Sequence, residues 1–127
     1  MISVVVAAIV AFVVSSIYYA VLTPYEKRAL GDRAPDRGSR PSPVQILLEL
    51  ARSLVLASVI AGVARYADLT GVGQALVLGL VLWVGFPAVL LTGSMMWEKT
   101  PAVTAALHAG DWLIKIIAIS AIVGVWL

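Results

Sequence analysis

The sequence has no cysteine and a single histidine among its 127 residues, and charged residues make up only 13% of it. Without cysteine, the chain cannot form a disulfide, use a thiolate nucleophile or bind a metal through sulfur. Soluble domains carry about 25% charged residues. Hydrophobic residues reach 61% here, which a soluble fold of this size could not hide because small domains leave much of their surface exposed. These scarcities exclude an ordinary soluble domain and favour a membrane protein.

Four long apolar runs account for most of the chain, at residues 2–22, 44–64, 72–93 and 102–127. About 20 helical residues cross the hydrocarbon core of a bilayer, so each run is long enough. None alternates polar and apolar residues as a barrel strand does. We therefore predict an all-α fold, a four-helix transmembrane bundle forming one membrane domain over residues 1–127. Residues 23–43, rich in proline, are predicted to form a polar loop.

Two of the predicted spans have recognisable starts. Ser42 is a good N-cap, Pro43 suits the first helical position, and Gln45 completes a capping box. Thr100 and Pro101 repeat the pattern of a capping residue followed by proline before the fourth span.

Basic residues predict the orientation of the chain. The side opposite to the loops after the first and third spans carries only Arg65. Those two loops carry most of the basic residues, which are Lys27, Arg28, Arg33, Arg37, Arg40 and Lys99. The positive-inside rule then predicts a multi-pass protein of the inner or plasma membrane, with loops 23–43 and 94–100 cytoplasmic and both termini outside. Because acidic residues interleave with these basic ones, we expect a membrane-flanking loop and no nucleic-acid partner.

Small residues recur every four positions in each run, a pattern that lets helix backbones approach closely in lipid. The stripes are Ala7, Ala11 and Ser15; Ser53, Ala57 and Ala61; Ala75 and Gly79; and Ala102, Ala106 and Gly110. They predict packing within one bundle. They also fit a homo-oligomer or contacts with other membrane subunits, in addition to contact with the lipid bilayer.

The third run contains a proline near its middle, within Trp83-Val84-Gly85-Phe86-Pro87. Proline removes a backbone donor and clashes with the carbonyl four residues before it, so Gly85 and Pro87 are predicted to mark a kink. The kink is either a feature of helix shape or a hinge beside a cavity. Trp83 is a possible lining residue of such a cavity, and packing in the core is the alternative.

Five ionisable residues fall inside the predicted spans, where an unpaired charge costs about 2.5–3.5 kcal/mol. They are Glu49, Arg52, His108, Asp111 and Lys115. The first two are three residues apart and the last three are spaced by three and four, so each set shares a helix face. Counted from the start of each helix, Glu49 lies about as far along the second span as His108 along the fourth, and Arg52 about as far as Asp111. We therefore predict Glu49–His108 and Arg52–Asp111 contacts between these two spans. Lys115 is expected either to share Asp111 or to line a wet cavity.

This polar cluster supports two kinds of function. As a site, it would serve a channel or transporter for protons or a small solute, since His108 can titrate near neutral pH. As a structural lock, it would hold the helices of a non-transporting accessory subunit. No cofactor or metal site is expected, because one histidine without cysteine is a poor ligand set. No enzyme is expected either, since Ser53 and Ser58 lie in no nucleophile motif.

The chain contains three short motifs: Tyr18-Tyr19 followed by Leu22-Thr23-Pro24 and a charged stretch, Trp83-Val84-Gly85-Phe86, and Trp97-Glu98-Lys99-Thr100-Pro101 before the helix that holds His108. They resemble motifs of the DUF1761 family, small bacterial four-span membrane proteins of uncharacterised function. Together they cover almost the whole chain. Relatives tend to have Trp-Tyr-Gly-Pro at the first motif, where this chain has tyrosine at position 18. The resemblance implies four spans and assigns no site residues.

Overall fold

The structure, a computed structural model, describes residues 2–34 and 42–127. Within these ranges it is helical and contains no strand. The helices are α1 (Ile2–Leu30), α2 (Pro43–Tyr66), α3 (Gly71–Trp83), α4 (Val89–Trp97) and α5 (Ala102–Val125). A 3-10 turn, Gly31–Arg33, follows α1, and a π-helical segment, Val84–Ala88, joins α3 to α4.

The first helix is longer than the sequence predicted. It continues past residue 22 and carries Pro24 inside it, so the predicted loop begins only after the 3-10 turn. Pro24 costs the helix one backbone hydrogen bond, the one to the carbonyl of Ala20. The neighbouring Thr23 hydroxyl donates to the carbonyl of Tyr19 at 2.6 Å, a contact within the helix. Residues 26–30 are good helix formers, which allows the helix to extend. The remainder of the predicted loop, residues 35–41, lies outside the described residues.

The start of α2 follows the predicted capping box. The backbone N–H of Gln45 donates to the Ser42 hydroxyl at 3.2 Å, and the Ser42 N–H donates to the Gln45 side chain at 2.9 Å. At α5 the prediction was wrong, because Pro101 occupies the N-cap position and no side chain caps the helix.

The third span is one continuous helical rod, Gly71–Trp97, and it ends four residues beyond the predicted residue 93. Its α-helical hydrogen bonding changes to π-helical bonding over Val84–Ala88, the stretch that contains Gly85 and Pro87. Pro87 is buried there. The interruption therefore lies where the sequence places the kink.

Helix α5 is the centre of the bundle. It packs most extensively on α1 and α3, whereas α2 packs mainly on α1 and has a smaller contact with α5. Both α1 and α3 run antiparallel to α5. The second and fourth spans are thus neighbours, as predicted, but theirs is not the principal interface.

Small residues allow these close approaches. A Cβ on Gly124 would lie 2.7 Å from Cα of Val72 on α3, and one on Gly110 would overlap the Tyr18 hydroxyl on α1. The predicted stripe on the fourth span was only partly correct, because Ala102 and Ala106 are exposed. Gly124, which lies outside that stripe, is where α5 comes close to the backbone of α3.

The two ends of the bundle differ in character. Near the N-terminus of α1, an apolar core joins α1, α2 and α5: Val4, Ala7, Ala8, Ala11, Ala57, Ile60, Ala61, Ile116, Ile119 and Val123. Polar side chains collect toward the opposite end, between α1 and α5. The outer faces of all four spans carry exposed apolar residues such as Val55, Val77 and Leu90, as expected of surfaces that meet lipid.

Candidate functional site

Polar side chains of α1 and α5 form a row of three contact groups along their antiparallel interface, which we call the α1–α5 seam. It comprises Ser15, Tyr18, Tyr19 and Glu26 on α1 and Thr104, His108, Asp111 and Lys115 on α5. The α5 residues are spaced by four, three and four, so they occupy one helix face. From Thr104 to Lys115 the seam extends for about 16 Å along the helix. It therefore reaches from one end of the bundle to near its middle.

The inner end of the seam is a buried ion pair. Lys115 Nζ lies 3.0 Å from Asp111 Oδ2, and the two residues are only 7% and 3% exposed. The Ser15 hydroxyl donates to Asp111 Oδ1 at 2.6 Å, and Lys115 Nζ lies 4.5 Å from the centre of the Trp112 ring. Asp111 thus receives a partner on each carboxylate oxygen, which offsets the cost of burying its charge.

The middle of the seam joins the two tyrosines to α5. Tyr19 OH and His108 Nδ1 share a hydrogen bond of 2.6 Å, and the Tyr18 hydroxyl donates to the carbonyl of Leu107 at 2.8 Å. The rings of Tyr18 and Tyr19 pack edge to face, with their centres 5.5 Å apart. Because Gly110 has no side chain, α5 can lie against the Tyr18 ring at this level.

The outer end of the seam is a buried carboxylate that the sequence did not identify. Glu26 is 1% exposed, and its Oε2 accepts a hydrogen bond of 2.8 Å from the Thr104 hydroxyl. The sequence placed Glu26 in a solvated loop because basic residues follow it. One signal was available: Glu26 is seven residues after Tyr19, so both would share a face if the helix continued through Pro24.

The predicted contacts of the second span were wrong. Arg52 pairs with Glu49 on its own helix, while Asp111 pairs with Lys115 and Ser15, and His108 meets Tyr19 on α1. Helical depth, which guided the prediction, does not fix the rotation of a helix about its axis. The expectation that Lys115 shares Asp111 was correct.

Trp83 lies against α5 at the level of the seam. Its indole Nε1 donates to the carbonyl of Ala109 at 2.9 Å, and the ring packs against the apolar core. The π-helical segment that contains Gly85 and Pro87 follows directly. Such segments occur often at functional sites, and this one begins one residue after the side chain that anchors α3 to α5.

Within residues 2–34 and 42–127, no three His, Asp or Glu side chains group in a way that could hold a metal ion. The seam itself offers carboxylates, an imidazole, phenols and an ammonium group. These groups exchange protons and form charge-assisted hydrogen bonds.

Replacing Ser15 by alanine should weaken the inner end of the seam. The change removes a partly buried hydrogen bond to a carboxylate, so we expect the free energy of unfolding to fall by about 1.5–3 kcal/mol. The matched control is Ser16→Ala, because the Ser16 hydroxyl donates only to the carbonyl of Phe12 on its own helix. Unfolding by SDS in mixed micelles, followed by tryptophan fluorescence, measures both. Equal losses for the two variants would contradict the contact.

A bundle of four helices, each long and apolar enough to cross a membrane, with a polar seam between the first and last of them, defines a multi-pass membrane protein. The chain belongs to the family described as "Protein of unknown function (DUF1761)", whose model matches residues 2–124. This agrees with the resemblance of its three motifs. No curated protein and no solved structure matches the chain.

Proposed function

We propose that this protein conducts protons across the membrane, and that the α1–α5 seam carries them over the half of the path between water at one membrane surface and the Asp111–Lys115 pair. The observation that carries the proposal is the row of proton-exchanging side chains linking these two places. Intramembrane ionisable residues are costly and commonly mark proton or ion pathways. A lock between helices would need only one balanced pair, whereas this seam adds Glu26 and His108 beyond the pair.

The order of groups along the seam supports a relay. Glu26 lies at the outer end with Thr104, His108 one turn further in with Tyr19, and Asp111 about one turn beyond that, bonded to Ser15. Histidine is the side chain whose charge changes most readily near neutral pH. Placed between two carboxylates, it can pass a proton from one to the other.

The orientation of the seam follows from the distribution of basic residues. The side that holds Glu26 carries an excess of lysine and arginine over the opposite side, and such loops face the cytoplasm. We therefore propose that the seam opens to the cytoplasm, with both termini outside. The protein would lie in the inner or plasma membrane.

Proton flux into vesicles tests the proposal. Purified protein is reconstituted with a pH-sensitive dye inside, and a potassium gradient with valinomycin drives proton entry. We expect flux above that of empty vesicles, and a fall of at least about tenfold for His108→Gln or Glu26→Gln, since each removes a proton-exchanging group. Glu98→Gln is the matched control, because Glu98 is exposed outside the seam. Equal flux from protein-containing and empty vesicles would refute the proposal.

An accessory, non-transporting subunit is the second candidate. It is favoured by the contacts of Asp111, because each of its two carboxylate oxygens already has a partner within the bundle, Lys115 or Ser15. In that case the seam holds α1 against α5 and moves nothing. The two candidates differ for a variant that lacks both charges of the inner pair: it should keep its fold in either case, but only a transporter would lose activity.

A further inference from the structure

An ion pair lies exposed on the outer face of a membrane-spanning helix. Glu49 and Arg52 are about 9 Å and 13 Å along α2 from Pro43, and their side chains are 45% and 62% exposed. The neighbouring exposed side chains are apolar, including Leu48 and Val55. Charged groups within a span almost always face protein or a water-filled cavity rather than lipid. This face of α2 therefore needs a cover that a single copy does not supply.

The same face forms one wall of a groove of about 460 Å³ between α2 and α5. Ala51, Arg52, Val55 and Val59 line it from α2, and Trp112 and Lys115 line it from α5. Further along the same helix, Gly62 is open, because a Cβ there would meet nothing within 4 Å. The groove thus combines an apolar floor with a charged pair and has room for a helix to approach.

We propose that this groove is the contact surface between two copies of the chain, in which Arg52 of each copy reaches Glu49 of the other. One acid and one base, a single helical turn apart on one face, are self-complementary about a twofold axis. In such an interface, residue i of one copy contacts j of the other and j contacts i. A second copy brings one acidic and one basic side chain to the interface. A partner that carried charge of only one sign would repel either Glu49 or Arg52.

The way in which helices associate in a bilayer favours a second copy of the chain as the partner in this groove. Apolar side chains gain nothing by leaving lipid for one another, so helices associate through close packing and interhelical polar contacts. The groove supplies both, since Ala51 is small and exposed and the Glu49–Arg52 pair is accessible. The charged pair that carries this proposal lies outside the α1–α5 seam, although Lys115 of the seam borders the groove from α5.

Charge reversal in two tagged copies tests the exchange of partners. Glu49→Arg gives a copy with two bases on this face, and Arg52→Glu gives a copy with two acids. Co-expressed, the two variants should associate with each other about tenfold more than either does with itself, the factor that an interhelical polar contact contributes. Glu98→Lys, which changes an exposed charge elsewhere, should leave self-association at the parent level. Equal association in all combinations would overturn the proposal.

Disulfide trapping provides a second measurement that does not alter the charges. The sequence has no cysteine, so a single introduced cysteine cannot form a disulfide within its own chain, and a crosslink to a second copy is recognised by a mass of two chains. We expect Ala51→Cys or Val55→Cys to give disulfide dimers in native membranes at least fivefold above Val77→Cys. Val77 is the matched control because it is as exposed as Val55, at 62% against 63%, but lies on α3. Crosslinking no higher than the control at both positions would overturn the proposal even if the charge-reversed variants fail to fold.

Discussion

Asp111→Leu should destabilise the protein by about 3–5 kcal/mol, because it leaves the ammonium group of Lys115 buried without its counter-charge. The pair lies 3.0 Å apart, and both residues are almost fully buried, so water cannot replace the lost partner. Unfolding in mixed micelles, monitored by tryptophan fluorescence, measures the change.

The double variant Asp111→Leu with Lys115→Leu is the decisive control. It removes both charges and leaves apolar side chains of similar size, so stability should return to within about 1 kcal/mol of the parent or exceed it. Ser15 then lacks its acceptor but can bond to a carbonyl of its own helix, as Ser16 does. A double variant as unstable as Asp111→Leu would show that the pair is not self-neutralising. Its proton flux would also separate the two proposed functions.

Gly124→Ala should separate α3 from α5. The added Cβ would lie 2.7 Å from Cα of Val72, 3.0 Å from Cβ of Ala75 and 3.2 Å from the carbonyl oxygen of Gly71. Two of these three neighbours are backbone atoms, which cannot rotate away as a long side chain can. We therefore expect the free energy of unfolding to fall by about 1–3 kcal/mol, as for other overpacked interfaces. Thermal unfolding in detergent measures it.

Gly73→Ala is the matched control for this interface. Gly73 is adjacent on α3 to Val72, the residue that the Cβ of Gly124→Ala would meet, but a Cβ on Gly73 would meet nothing within 4 Å. Alanine is the better helix former by about 1 kcal/mol, so this variant should be as stable as the parent or more stable. If both glycine variants destabilised equally, close packing of α3 on α5 would not be the cause.

The elements of the fold were largely predictable because local rules decide them. Apolar length fixes the four spans, and Ser42 with Gln45 fixes the start of α2 through contacts three residues apart. The i,i+4 spacing of Asp111 and Lys115 likewise placed both side chains on one helix face, where their pairing was one of the two expected arrangements. Each of these inferences uses only neighbours along the chain.

The site was less predictable because it depends on the rotation of helices about their axes. The positions of Arg52 and Asp111 along their helices suggested that the two would pair. The rotation of α5 about its axis instead directs the Asp111 carboxylate toward Ser15 on α1. The length of α1 was also decisive. The proline-rich stretch from residue 23 indicated a loop, whereas the helix continues to Leu30 and carries Glu26 into the seam. A proline can be accommodated at the cost of one hydrogen bond, and only tertiary packing decides whether it is.

The π-helical segment has a consequence for the helical phase of the third span. Ala75, Gly79, Trp83, Pro87 and Leu91 lie four residues apart, and all are buried or half-buried. In an uninterrupted α-helix, residues four apart drift by about 40° at each step, so Leu91 would have rotated about 160° away from the side of Ala75. The wider turn takes up part of this drift and keeps the series directed inward. Deleting one residue between Val84 and Ala88 would let this turn return to α-helical bonding and leave the Met95–Trp97 end facing nearly the same way. The same deletion in the regular α-helix on either side would rotate that end by about 100° and present a different side of the rod to lipid.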